Sequence, residues 1–314
     1  MTMKMNQNTA TFLSTYYFIK PWIPRSVQIW FRREVIRRRM NHVADRWPVL
    51  PAAGVPEKSW SGWPEKKQFA VVTTHDVESE KGLKRCKMLA SAERQLGFRS
   101  SFNFVPGKYQ VPDSLRYDLE KDGFEVGIHG LYHDGKLYES WQVFEKRAKL
   151  INQYLKAWKV CGFRSPAMHH NLNWLQNLNI AYDASTFDTD PFEPQSDGVE
   201  TIFPFWVAGE NNGKGFVELP YTLPQDFTVY ILLQEKTSDI WKRKIDWIAR
   251  KGGMALVNTH PDYMCFNGKK PTMEEYDVDL YLDFLQYIKD RFKESFWHAL
   301  PRDVAHFFKN TYCL

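Results

Sequence analysis

The chain has 314 residues, of which 43% are hydrophobic, enough for one large domain with a core or for one domain plus an extension. The net charge of +5 is modest and much of the excess lies near the N-terminus, so we predict no binding of nucleic acid. No run approaches the roughly 20 apolar residues of a membrane-spanning helix, and residues 1–12 lack the apolar core of a signal peptide. Together with the four widely spaced cysteines, the lack of both features favours a cytoplasmic protein, either free or associated with the cytoplasmic face of a membrane.

Residues 1–68 form a predicted N-terminal extension that is basic and irregular. Within it, residues 24–40 are predicted to be helical, with apolar residues at helical spacing and five arginines around them: Val27, Trp30, Phe31 and Val35, with Arg32, Arg33, Arg37, Arg38 and Arg39. A basic amphipathic helix with aromatic residues can lie in a membrane interface. Two alternatives remain open: peripheral contact of residues 20–40 with the inner membrane face, or packing on the main domain with solvated arginines.

From residue 69 onward, short apolar runs alternate with helical patterns. The predicted strands cover 69–76, 99–105, 124–129, 160–164, 180–183, 216–219, 254–259 and 296–299. The predicted helices cover 81–96, 113–121, 139–158, 237–251 and 273–292. This alternation predicts an α/β fold with a parallel sheet, and so many units predict a barrel or a near-barrel. In such folds the chemistry takes place at the C-terminal ends of the strands.

Two histidines, His129 and His133, lie four residues apart just past the predicted strand over 124–129. At that spacing their imidazoles can turn toward one point, and histidine is the commonest nitrogen ligand of zinc-like metals. The pair by itself is a weak signal, so the other strand ends decide its meaning.

An acidic cluster follows the first predicted strand, where Asp76 and Glu78 flank Val77. Alternate residues of a strand face the same side, so both acids are expected to reach the site while Val77 faces the core. Two histidines and one carboxylate are a common catalytic zinc set that leaves one position open for water. By the same alternation, His75 faces away from Asp76 and is predicted to be structural.

Three further predicted strands also end in polar side chains. They are followed by Arg164-Ser165-Pro166, by Asp183-Ala184-Ser185, and by His260 after Leu256-Val-Asn-Thr. Each of these groups alone has an ordinary explanation as a turn residue or a surface ion pair. Five strand ends with titratable or cationic groups are hard to explain by chance, which indicates an active site.

These motifs, in this order, resemble the polysaccharide deacetylases, the carbohydrate esterases that share the NodB homology domain. The resemblance covers roughly residues 69–310. It implies a distorted, incomplete (β/α) barrel, preceded here by the N-terminal extension, so that residues 69–314 would form the catalytic domain. It also implies hydrolysis of an N-acetyl group with one divalent metal.

The resemblance implies a role for each motif. Asp76 would be the catalytic base and His260 the general acid. The metal ligands would be His129, His133 and, from a variant branch of the family whose first motif reads Asp-Val-Glu, Glu78. Arg164 would hold the base, and Asp183 would orient His260 and raise its pKa. The predicted substrate contacts are Tyr132, Pro166 and His169, although a surface position is an equal alternative for His169. Tyr132, Trp174 and Phe187 are candidates for sugar stacking, but packing in the core is the favoured interpretation for any one of them.

Two departures from the family pattern stand out. Val77 separates two acids that are usually adjacent, which is why the third ligand moves to Glu78. Gly130 occupies a position where the family usually has Ser or Thr, so a hydroxyl near the metal is lost. Asp134, which follows the second histidine, is expected to cap a turn.

The predicted function is metal-dependent removal of an N-acetyl group from an amino sugar in glycan biosynthesis. The substrate would be a nucleotide-linked or lipid-linked sugar, or a nascent glycan. Zinc is the metal that the ligand types favour, and cobalt, nickel, iron or manganese would also bind such a set. The alternatives are an N-formyl sugar or another C–N amide as substrate, or a degenerate, non-catalytic glycan-binding module.

Overall fold

The computed structural model describes residues 24–40, 42–209, 215–266 and 268–312. Contacts between residues divide the chain into two units, Met1–His42 and Val43–Leu314. The boundary between these units lies closer to the N-terminus than the domain boundary predicted after residue 68. In the first unit, helix α1 (Arg25–Met40) occupies the stretch predicted to be helical. The remainder of the predicted membrane segment, residues 20–23, and Cys313 lie outside the described residues.

None of the helices in the described ranges is long and apolar enough to cross a membrane.

The second unit is built on one large sheet. Its strands are β1 (Phe69–Val77), β2 (Ser101–Phe104), β3 (Glu125–His129), β4 (Gly162–Arg164), β5 (Tyr182–Asp183), β6 (Phe205–Val207), β7 (Phe216–Glu218), β8 (Met254–Thr259) and β11 (Phe296–His298). A separate small sheet pairs β9 (Met264–Cys265) with β10 (Tyr276–Asp277). The large sheet runs in the order β11–β1–β2–β3–β4–β5–β7–β6, and β8 also pairs with β1.

All pairs in the large sheet are parallel except β6 with β7. Strand β1 has three neighbours: β8 along residues 70–75, β11 along 69–71 and β2 along 74–77. A strand has only two edges, so β11 and β2 follow one another along the edge opposite β8. Every residue of β1 is buried, which explains its long, largely apolar sequence.

The sheet curls back toward β8 after β7. The backbone N–H groups of Thr222 and Leu223 donate to the carbonyl of Leu256 at 3.0 and 3.1 Å, and Leu223 forms a parallel bridge with Val257. A second bridge joins Phe187, beyond β5, to Tyr221. These contacts close the sheet in part and confirm the predicted distorted, incomplete (β/α) barrel.

The helices of the second unit alternate with the strands. They are α2 (Glu80–Leu96), α3 (Asp113–Lys121), α4 (Trp141–Trp158), α5 (Leu172–Leu175), α6 (Asp239–Lys251), α7 (Asp279–Phe292) and α8 (Pro301–Tyr312), with a π-helical turn over Phe227–Leu232. Ser79 and Ser140 cap α2 and α4 by accepting backbone N–H bonds at their first turns. The helix predicted over 273–292 begins only at Asp279, because Tyr276 and Asp277 belong to β10.

The apolar core lies on both sides of the sheet. On one side, Val72, Leu219 and Leu256 pack together with part of α8. On the other, the stripe of α4 packs on β3 and β4: Phe144, Ala148, Ile151 and Leu155 with Ile128 and Phe163. Polar side chains are also buried at the C-terminal ends of several strands, where burial requires hydrogen-bonding partners.

Candidate active site

Asp76 lies near the end of β1, with β2 and β8 as its neighbours. Asn103, its register partner on β2, donates Nδ2 to Asp76 Oδ1 at 2.9 Å. Asn258 of β8 donates Nδ2 to Oδ2 at 2.8 Å, and Arg164 Nη1 lies 3.3 Å from Oδ1. Both carboxylate oxygens are therefore held by donors from three different strands.

The charge of Asp76 is set by its surroundings. Burial alone would raise the pKa of this carboxyl, but the facing His129, Arg164 and His260 outweigh burial and hold the pKa below its usual range. Asp76 is thus a carboxylate over the whole physiological pH range.

Arg164 is fully buried at the end of β4. Its Nε donates to the carbonyl of Ala184 at 2.7 Å, and Nη1 donates to Thr74 Oγ1 at 2.7 Å and to Asn258 Oδ1 at 2.5 Å. The structure therefore brings Arg164 to Asp76 both directly and through the amide of Asn258.

Glu78, His129 and His133 come together on the same side of the sheet. One ligand atom from each lies within 4.8 Å of the others, and His133 Nε2 is 2.8 Å from Glu78 Oε1. Burial would raise the pKa of Glu78, but the histidines around it, His133 foremost, lower it well below its usual value. The sequence-predicted ligand set is thus assembled in space.

The two histidines are suited to hold a cation. His129 Nδ1 lies 3.2 Å from the carbonyl of Arg164, which leaves Nε2 facing the cluster. Burial lowers the pKa of His129 to about 4, so the ring is neutral at physiological pH. Within the described residues, Nε2 of His129 is buried without a hydrogen-bond partner, and Nε2 of His133 faces only the Glu78 carboxylate. A neutral, buried His129 nitrogen without a partner, with the His133 ring and the Glu78 carboxylate beside it, fits a divalent metal.

The turn between the histidines explains the departure at Gly130. Gly130 has φ +62°, and a Cβ placed there would lie 2.5 Å from the Cγ and Cδ atoms of Pro166. A serine or threonine would meet both a strained backbone and a rigid ring. His133 also has a left-handed φ of +54°, a strain found at functional sites.

His260 directly follows β8 and is held by Asp226. Its Nδ1 lies 2.7 Å from Asp226 Oδ1, its backbone N–H donates to Oδ2 at 2.8 Å, and Nε2 is 3.9 Å from Glu78 Oε1. Burial alone would lower the pKa of His260, but the carboxylate of Asp226, with the other acids, raises it to about 10. His260 is therefore an imidazolium at physiological pH.

This pairing corrects the expected role of Asp183. Asp183 accepts from the backbone N–H and the hydroxyl of Ser185 at 3.0 and 2.7 Å, and it faces the buried Glu218. Burial raises its pKa. Asp183 lies on β5. His260 follows β8, and the chain segment that leads to Asp226 pairs with β8. Asp226, not Asp183, therefore orients His260.

The predicted substrate residues share one small depression beside Glu78, His129 and His133. Tyr132, Pro166 and His169 line it together with His133. Tyr132 is 42% exposed, so its ring is available for stacking, whereas Phe187 is fully buried and belongs to the core. Trp174 is only partly buried and packs in an aromatic group with Trp141 and Phe144.

Two neighbours have the structural roles that the sequence predicts. His75 is buried on the other side of β1, where Nδ1 lies 2.7 Å from Thr259 Oγ1 and Nε2 lies 2.9 Å from Glu93 Oε1. Asp134 caps its turn by accepting the backbone N–H of Lys136 at 3.0 Å.

Four residues of the site were missed from the sequence: Asn103, Asp226, Asn258 and Tyr263. Asn258 lies within the final motif, and Asn103 lies one strand along, so both positions carried a signal. Asp226 and Tyr263 lie outside every predicted strand, and only the folded chain brings them to the site.

No protein-family model and no curated protein matches the chain. Solved structures do match. A structure described as a polysaccharide deacetylase from Mycobacterium smegmatis has a TM-score of 0.61 at 17% identity, covering 83% of this chain and 95% of that one. Puue allantoinase has a TM-score of 0.61 at 15% identity, with coverages of 80% and 94%. One described as a polysaccharide deacetylase from Pseudomonas aeruginosa PAO1 has a TM-score of 0.60 at 14% identity, also with coverages of 80% and 94%. Likeness at such identities establishes the architecture, and the chain has the fold of the polysaccharide deacetylases.

Proposed function

We propose that the chain is a metal-dependent hydrolase that removes an N-acetyl group from an amino sugar. The convergence of Glu78, His129 and His133 within 4.8 Å is the observation that carries the proposal. Glu78 stands in for the acid that Val77 displaces from the family's usual position. Its presence in the cluster supports an enzyme over a degenerate glycan-binding module, which has no use for acid–base groups.

Glu78, His129 and His133 would hold one divalent metal. Zinc is the first choice for two nitrogens and a carboxylate, and cobalt, nickel, iron and manganese remain alternatives. When bound, such a metal supplies Lewis acidity that activates water and polarises the acyl carbonyl.

Asp76 would take the proton of the attacking water. It is ionised, and Asn103, Asn258 and Arg164 fix both of its oxygens, so the base is already oriented. Attack forms the bond between the water oxygen and the acyl carbon, and the water proton moves to the Asp76 carboxylate.

His260 would return a proton to the leaving amine. Its pKa of about 10 keeps it protonated at neutral pH. Because Asp226 holds Nδ1, the other nitrogen, Nε2, faces Glu78 and the cluster. Transfer of the Nε2 proton to the amine nitrogen accompanies cleavage of the C–N bond, which leaves acetate and a free amino sugar.

The surroundings of the site and the basic extension support one class of substrate. Tyr132, Pro166 and His169 beside the cluster support the binding of a sugar or its acyl group. In α1, Val27, Trp30 and Phe31 are exposed among arginines, which supports contact with an anionic membrane surface. We therefore propose a lipid-linked or nucleotide-linked N-acetyl sugar of glycan biosynthesis, processed at the cytoplasmic face.

A second candidate is the hydrolysis of another C–N amide. The match to Puue allantoinase, with the same TM-score of 0.61 as the first deacetylase, favours it. An N-formyl sugar is the sugar version of the same alternative. Both would use the same base, acid and metal ligands.

The test begins with the metal content of the full-length protein, measured for the wild type, Glu78→Ala and His129→Ala. His306→Ala, an exposed histidine on α8, is the matched control. We expect one metal per chain in the wild type and the control, and loss of metal in both site variants. Absence of metal from the wild type after reconstitution would refute the proposal.

The second step measures acetate release from an N-acetylglucosamine oligomer and from a nucleotide-linked N-acetyl sugar. Formate release from an N-formyl sugar and ring opening of allantoin are measured alongside. Acetate release that disappears in Glu78→Ala supports the deacetylase. Turnover of allantoin or of the formyl sugar without acetate release would favour the second candidate.

A further inference from the structure

Glu78 lies just beyond the end of β1, so the sheet does not fix its side chain. A glutamate has one more rotatable bond than an aspartate, and a ligand that must be ordered when it binds loses affinity. Ligating carboxylates are therefore held by hydrogen bonds from residues behind them.

Tyr263 supplies such a bond. Its hydroxyl donates to Glu78 Oε2 at 2.7 Å, while the other oxygen, Oε1, faces His133 Nε2 at 2.8 Å. The Tyr263 ring is itself positioned, because it packs against Phe227 and His260 with ring centroids 5.0 and 5.1 Å apart. One oxygen of Glu78 is therefore occupied, and the other is directed at the histidines.

Asp262 fixes the backbone at the same point. Its Oδ2 accepts the backbone N–H of Glu78 at 2.9 Å, and its Oδ1 accepts the hydroxyl of Ser79. Gly82 makes room for this carboxylate, because a Cβ there would overlap it. The short helical turn Pro261–Tyr263 thus holds both the main chain and the side chain of Glu78.

We propose that Tyr263 is a positioning residue that makes Glu78 a one-oxygen metal ligand. The inference rests on the proposed function only in taking Glu78 as a ligand. With Oε2 bound to the Tyr263 hydroxyl, Oε1 alone is directed into the cluster, and a coordination position stays open for water. Because the turn Pro261–Tyr263 directly follows His260, it also fixes the position of Glu78 relative to His260.

The test is Tyr263→Phe in the full-length protein, which removes the hydroxyl and keeps the ring packing against Phe227. The dissociation constants for Zn²⁺ and Co²⁺ are measured by competition with a chromogenic chelator, and the visible spectrum of the Co²⁺ form is recorded. Loss of a hydrogen bond behind a ligand weakens metal affinity by about 10- to 100-fold. We expect that loss together with a changed Co²⁺ spectrum, because Oε2 becomes free to coordinate.

Tyr287→Phe is the matched control, since its hydroxyl donates to Asp246 at 2.9 Å on another part of the domain. Its affinity and spectrum should equal those of the wild type, and equal thermal unfolding midpoints show that both variants are folded. Wild-type affinity and spectrum in Tyr263→Phe would overturn the role of Tyr263 and leave the proposed function standing. Absence of metal binding by the wild type would overturn both.

Discussion

Replacing Gly130 by alanine tests the packing of the loop that carries His129 and His133 against the Arg164-Ser165-Pro166 motif. The backbone at Gly130 has φ +62°, and the added Cβ would lie 2.5 Å from Cγ and Cδ of Pro166. The proline ring cannot rotate away as a flexible side chain would. Either the loop that carries His129 and His133 or the motif that carries Arg164 must shift.

The expected cost has two parts. A left-handed backbone costs an L-residue about 1–2 kcal/mol, and overpacking against a rigid neighbour adds about 1–3 kcal/mol. Gly135 in the same loop separates the two, because it has φ +74° with nothing within 4 Å of an added Cβ. Gly135→Ala should therefore cost only about 1–2 kcal/mol, and Gly130→Ala about 2–5 kcal/mol.

The assay is urea unfolding of the wild type and the two variants, with the free energy of unfolding obtained from each midpoint and slope. Metal affinity is measured on the same samples, and we expect it to fall in Gly130→Ala and to be retained in Gly135→Ala. An equal loss of stability in the two variants would refute the reasoning. It would mean that Pro166 yields and that the serine or threonine of the family could be accommodated.

Three other changes test the proposed acid, the proposed base and a buried carboxyl away from the site. Asp226→Asn removes the carboxylate that, against burial, holds the pKa of His260 at about 10. The alkaline limb of the pH–rate profile for acetate release should therefore move to lower pH. An unmoved limb contradicts the pairing of Asp226 with His260. Asn258→Leu removes the donor to Asp76 Oδ2, and kcat should fall about 10- to 100-fold with KM nearly unchanged; an unchanged kcat excludes that role. Burial raises the pKa of Glu125 from 4.5 to about 7, so its contribution to stability is complete below pH 4.5 and is lost as pH rises through 7. Glu125→Gln should remove that decline from the urea-unfolding free energy, and parallel pH curves for the two proteins would contradict it.

The strand ends of the site could be predicted because each follows a run with a strong local pattern. The stretch before Asp76 is a long apolar strand, and the stretch before His129 alternates cleanly, so sequence alone located both ends. The fold then brings these ends to one edge, as a parallel sheet requires. The shortest strands are too short to show such a pattern, because β6 has three residues and β9 and β10 have two each.

The partners of the acid and of the ligand could not be predicted, because they depend on how the barrel closes. Asp226 reaches His260 only because Leu223 bridges to Val257 of β8, a contact that sequence spacing does not encode. The resemblance to the deacetylases implied Asp183 instead. Tyr263 lies in a short turn without a helical or strand period, so its contact with Glu78 appears only once the chain is folded.

The threefold pairing of β1 means that the proposed base, Asp76, and the proposed acid, His260, are supported in different ways. Asp76 belongs to the strand with the most neighbours, and every hydrogen bond to those neighbours must break before that strand can open. Amide hydrogens along β1 should consequently be among the slowest to exchange with solvent. His260 lies beyond the end of β8, and its partner Asp226 begins a π-helical turn outside the sheet. Asp76 is therefore held within the sheet by the pairing of β1, whereas His260 is held beyond the sheet by the two hydrogen bonds to Asp226.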